Sequence, residues 1–146
     1  MTHHLAIMKK SWKLIDKILS GEKKIESRWY KSRISPWNRI NAGDKIFFKD
    51  AGMPVTVTAE VEKVLQFHDF SHTKLREMIN EYGGAGKICF RSTLDEAFES
   101  NKDKRYCILM FLKNPQKITP FEIDKTGFGN ACAWISVDNI NKIKVS

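Results

Sequence analysis

Paired cysteines are missing from this chain. Cys89, Cys107 and Cys132 lie far apart and form no CxxC pair, which excludes a zinc ribbon or knuckle and gives no disulfide framework. All three sit in apolar stretches, so the expectation is reduced, buried, small hydrophobes. Long apolar runs are also missing: none approaches the roughly 18–20 residues that span a membrane. The start, "MTHHLAIMKKSW", lacks the apolar core and small-residue cleavage site of a secretory leader. A cytoplasmic protein without membrane contact is expected. There is no internal repeat, low-complexity tract or composition break, and 146 residues suit one core. A single domain over 1–146 follows.

Familiar site patterns are scarce too. "GGAGK" (83–87) follows a helical segment and GxxxxGK[ST] is absent, so no phosphate loop is read. No Ser–His–Asp or Cys–His arrangement can be argued from spacing. His3 and His4 read as a frayed terminus. His68 and His72 are four apart, but the Phe-flanked stretch precedes the helix start, so no metal site is expected. No cofactor is implied.

What the chain does have is positive charge in one place. The net charge is +8, and residues 1–50 hold 12 Lys/Arg against 5 Asp/Glu, whereas the remainder is nearly balanced. A one-sided excess points to a polyanion, RNA first and DNA second, through steering and counterion release.

Periodicity supplies the elements. Met8, Trp12, Ile15 and Leu19 fall at helical spacing opposite a lysine-rich face, and Gly21 ends that helix as a left-handed cap. Segment 24–30 reads as a strand, 34–44 as loop, and 45–50 as a short strand. Residues 55–62 alternate, with Val55, Val57, Ala59 and Val61 on one face, as a half-buried antiparallel strand does. A second helix fits 72–82. Thr93 with Glu96 gives a capping box for a third, to about Asn101. "YCILMFL" (106–112) is a strand buried on both faces. A turn is expected at Asn114-Pro115, then strands at 117–123, 132–137 and 141–145. About six strands and three helices predict a mainly β, α+β fold: a small mixed or antiparallel β-barrel flanked by helices.

The stretch "GEKKIESR" (21–28) carries the chemistry. On an extended segment Glu26 and Arg28 point to one side. Lys23 has the wrong parity unless the chain bends, and Gly21 allows a bend. Lys23, Glu26 and Arg28 then converge. An arginine offers paired donors to phosphate or a base edge. A glutamate accepts from an exocyclic amine or acts as general base. A lysine holds a phosphate or an oxyanion. The alternative is a bracing salt bridge beside a solvated lysine. Around the stretch, Trp29, Tyr30 and Trp37 interleave with Lys31, Arg33 and Arg39. Single-stranded nucleic acid is held in this way, by stacking and charge together. Packing of Trp29 and Trp37 into the barrel is the competing reading. In the glycine loop 125–130, Asn130 is a candidate base-reading amide.

The pattern G-x-K-x-x-E-x-R, met here by Gly21, Lys23, Glu26 and Arg28, resembles the signature of the ASCH domain of the PUA-like superfamily. "NAGDKIFF" (41–48) and "YCILMFLKNPQKI" (106–118) look similar to later parts of that family. The resemblance implies a PUA-like barrel whose signature lines a cleft for RNA or a nucleotide. It also implies two enzymatic alternatives. Some small members hydrolyse N4-acetylcytidine, with Lys23 matching the catalytic lysine, and ribonuclease activity has been proposed for others. At the position of Glu26 the amidohydrolases carry a nucleophilic threonine, a hydroxyl this chain lacks. If there is catalysis, Lys23 and Glu26 carry it. The expected partner is single-stranded RNA or a modified nucleoside, bound by Gly21, Lys23, Glu26, Arg28, Trp29, Tyr30, Arg33, Trp37 and Arg39.

Overall fold

The computed structural model describes residues 1–129 and 132–145; Asn130 lies outside them. Six strands form one curled, mixed sheet: β1 (His3–Met8), β2 (Ile25–Tyr30), β3 (Lys45–Asp50), β4 (Val55–His68), β5 (Tyr106–Phe121) and β6 (Trp134–Val137). Their order is β2-β5-β4-β3-β1-β6. Only β1 and β3 pair in parallel; every other neighbouring pair is antiparallel. Three helices accompany the sheet, α1 (Leu14–Ser20), α2 (His72–Tyr82) and α3 (Leu94–Asn101). This is the half-barrel, mainly β architecture expected of a PUA-like fold.

The alternating segment 55–62 is the first half of β4, with Val55, Val57, Ala59 and Val61 buried. In β5, Cys107, Ile108, Leu109 and Met110 are all buried. Ile108 and Met110 join a cluster with Ile15 and Ile18 of α1. Cys107 and Leu109 join one with Met78 of α2. The strand is thus covered on both faces, which is why its sequence is continuous rather than alternating. Ser71 caps α2 by accepting from the Lys74 N–H, and Thr93 and Glu96 form the full capping box of α3.

Four expectations need correction. First, the N-terminus is not frayed and the helix does not begin near Met8. His3–Met8 is a strand, and α1 starts at Leu14 after a 3-10 turn at Lys10–Trp12. Pairing with β3 and β6 decides this, a long-range term that local periodicity cannot see. Trp12 therefore lies exposed rather than on an apolar helix face. Second, Asn114-Pro115 does not turn the chain. Strand β2 pairs with β5 only as far as Phe111, so Pro115 falls where β5 has a free edge and its missing N–H breaks no ladder. The register with β4 shifts there, and Asn114 takes φ 51. Third, 141–145 is not a strand; Ile140–Lys142 is a 3-10 turn, followed by a single bridge from Lys144 to Ile123. Fourth, only Cys107 is fully buried; Cys89 and Cys132 are half-exposed, and all three are unbridged.

Candidate functional site

A cleft of about 840 Å³ opens between β2, the turn after β1, the loop 88–93 and α3. Its floor is the motif segment. Gly21 takes φ 85 as the left-handed cap of α1, and the next turn folds back so that the Lys23 N–H donates to the Lys17 carbonyl. Lys23 then bridges Lys87 in parallel. This bend cancels the parity mismatch. Lys23 Nζ reaches inward and donates to the Ile88 carbonyl at 2.9 Å. Glu26 Oε1 lies 3.7 Å from Lys23 Nζ and Oε2 lies 3.8 Å from Arg28 Nη2. Lys23 and Glu26 are each 4% exposed.

The electrostatics of this trio are strained in a specific way. Burial pulls the Lys23 ammonium below its ordinary range; the Glu26 charge works against that pull and the Arg28 charge adds to it. Glu26 Oε1 accepts from the Ser27 N–H, but Oε2 is buried with no hydrogen-bond partner. An orphaned carboxylate oxygen in a cleft is an acceptor available to a ligand donor. Arg28 sits over the Trp134 ring, 5.1 Å from its centroid, and donates to the Ala133 carbonyl at 3.5 Å and to Met8 Sδ at 3.4 Å. Tyr30, half-buried beside it, has its hydroxyl pushed up by burial.

Lys23, Glu26, Arg28, Trp29 and Tyr30 all line the cleft. Trp29 is fixed in place: its Nε1 donates to Ser27 Oγ at 3.0 Å and its ring packs against Phe70 and Phe90. Four other expected residues stand elsewhere. Gly21 shapes the backbone and does not reach the cleft. Trp37 packs edge-on against Tyr106, centroids 5.1 Å apart, and against His68. Arg33 also lies over the Tyr106 ring, 5.7 Å from its centroid. Arg39 lines a second cavity of about 400 Å³, which shares Tyr30 with the first.

Spacing did not reveal the rest of the cleft. Trp12 stands at its mouth, 39% exposed, with Lys9 and Arg91 on its ring at 5.2 and 4.9 Å. Cys89 and Phe90 complete the wall. A tryptophan flanked by Ser11 and Lys13 was the available signal, and its helical spacing masked it. Among the described residues no cluster of His, Cys, Asp or Glu could hold a metal ion.

The curled mixed sheet with its three helices puts the chain in the PUA-like fold class. Within that class the likeness is to the ASCH protein of Zymomonas mobilis, seen in three crystal structures. A Tyr-to-Phe variant matches with TM-score 0.67 at 16% identity, over 96% of this chain and 93% of that one. A Ser-to-Ala variant matches with TM-score 0.67 at 15%, over 96% and 91%. The protein without a named substitution matches with TM-score 0.63 at 16%, over 91% and 85%. No family profile matches the sequence, and no curated protein does. The fold of this chain is that of an ASCH domain.

Proposed function

We propose that the cleft binds a nucleobase-bearing ligand, single-stranded RNA or a modified nucleoside. The observation that carries this reading is the buried Glu26 Oε2, which has no hydrogen-bond partner, on the floor of a cationic cleft. An exocyclic or ring N–H of a base supplies the missing donor. Lys9, Arg91 and Arg28 supply charge for phosphate, and Trp12 a stacking face. The volume suits a nucleotide-sized ligand, within the roughly 300–1,000 Å³ of small-molecule sites. No described helix is long and apolar enough to cross a membrane; we read the chain as one cytoplasmic domain.

The test is a titration of fluorescent single-stranded RNA and DNA at two salt concentrations, with the parent and Arg28→Ala. Salt-sensitive RNA binding that the variant loses is expected. Equal affinity of parent and variant overturns the reading. DNA binding as tight as RNA removes any role for the 2′-hydroxyl.

A depressed Lys23 beside a carboxylate also favours a second reading, hydrolysis of an acylated cytidine, with Lys23 central and Glu26 as base on water. Turnover of N4-acetylcytidine that Lys23→Ala abolishes supports it; a flat progress curve at high protein concentration sinks it.

A further inference from the structure

The second cavity holds a group that the cleft reading does not use. In the β1–β6 ladder His4 pairs with Ser136 and Ala6 with Trp134, so all four side chains share a face. His4 is fully buried. Its Nε2 lies 2.9 Å from Asp44 Oδ2, and its Nδ1 lies 2.9 Å from Ser136 Oγ and 3.2 Å from Trp134 Nε1. An indole N–H only donates, so Nδ1 is the unprotonated nitrogen, and its lone pair is shared between the indole N–H and, at the shorter distance, the Ser136 hydroxyl. The ring hydrogen is then on Nε2, where Asp44 accepts it. Asp44 is buried, yet hydrogen bonds from His4 and from the Thr2 and Asn41 N–H groups hold its carboxyl below the usual range. It stays ionised. Burial meanwhile holds His4 below its ordinary value and so neutral, with Arg39 and His3 pushing the same way and Asp44 opposing.

This is a serine hydroxyl donating to a neutral imidazole whose far nitrogen is oriented by a carboxylate. Residues 4, 44 and 136 are far apart in the chain, which is why spacing could not suggest it. Ser136 is half-buried and lines the second cavity with Tyr30, Ile34, Arg39 and Trp134.

We infer that Ser136 is an activated nucleophile and that the second cavity is an acyl-ester site. Its substrate class is a small activated ester bearing a negative charge, because Arg39 is the exposed cation on that wall. Ser136 Oγ attacks the ester carbonyl carbon while its proton passes to His4 Nδ1. Asp44 stabilises the imidazolium. The carbon–oxygen bond to the alcohol breaks, and the leaving alkoxide takes the proton from Nδ1. Water then attacks the acyl-serine by the same proton path, which releases the acid and restores the hydroxyl.

The experiment uses an alkyl fluorophosphonate on the intact protein, with peptide mass spectrometry. Its phosphorus–fluorine bond is replaced by a bond to Ser136 Oγ; the proton goes to His4 and fluoride leaves. One adduct on Ser136 is expected near neutral pH, absent in Ser136→Ala. The labelling rate falls as the solution is acidified through a midpoint below 6.5, because protonated His4 no longer accepts. His4→Gln removes the labelling; since His4 is buried, the pH profile of the parent stands as an independent readout should that variant misfold. No adduct on Ser136 above that of denatured protein overturns the inference. So does an adduct whose rate is flat across the acid range, since the triad would then be only a brace between β1 and β6.

Discussion

Glu26→Gln removes one charge from a buried pair and leaves the other behind. Lys23 and Glu26 are each 4% exposed, and the Lys23 ammonium has one backbone acceptor, the Ile88 carbonyl. Breaking a buried pair by removing one partner costs about 3–5 kcal/mol, whereas an exposed pair is worth about 0–1. The burial here selects the first range. That is a large share of the roughly 5–15 kcal/mol that holds a domain of this kind together. The cost has a pH signature. Lys23 is already depressed in the folded state by burial, and loss of Glu26 depresses it further. A lysine with a folded value below its unfolded value is protonated more in the unfolded chain. Stability therefore rises with pH between the two values, by at most about 1.4 kcal/mol per unit. In Glu26→Gln that rising window begins at lower pH than in the parent, because its lower bound has moved down while its upper bound, near 10.5, has not. Urea melts of parent, Glu26→Gln, Lys23→Met and the double variant, each at several alkaline pH values, measure all of this. The double variant should recover most of either single loss. A Glu26→Gln cost below about 0.5 kcal/mol, or additive losses in the double variant, would refute the argument that these charges are desolvated and coupled.

Two further substitutions separate the cleft from its supports. Trp12→Ala should weaken RNA binding by about 1–3 kcal/mol, the worth of one stacked base, and leave the urea midpoint nearly unchanged because the ring is exposed; loss of stability without loss of binding would place Trp12 in the fold instead. Trp37→Ala should do the reverse, lowering stability by about 2–4 kcal/mol through lost packing on Tyr106 and His68, with RNA affinity held; a variant of parental stability that no longer binds would return Trp37 to the ligand.

The legible parts of this protein were those set by near neighbours in the chain. The capping box at Thr93 and Glu96, the left-handed Gly21 and the alternation of β4 each depend on residues a few positions apart. The trio Lys23, Glu26 and Arg28 was legible for the same reason, since one bend and one strand bring it together. What could not be read depended on distant partners. The first strand is polar at His3 and His4, and only its place between β3 and β6 makes those histidines interior or half-interior. Pro115 looked like a turn because sequence does not say which stretch of a strand lacks a neighbour. Trp12 and Arg91 meet across the cleft mouth from segments with no local signal in common.

The placement of β6 has a consequence for the order in which the molecule assembles and opens. Phe48 finds Val57 across a short hairpin, but His4 finds Ser136 at a separation of 132 residues. Closure entropy grows with loop length, and contacts of high sequence separation form slowly. The β3–β4–β5 meander is therefore the early unit, and the β1–β6 seam is the late one. Being short and held by a single neighbouring strand, β6 is also the strand that unzips most cheaply in the folded protein. Hydrogen exchange along Trp134–Val137 should accordingly run ahead of exchange in β5, so that the seam works as the molecule's breathing edge.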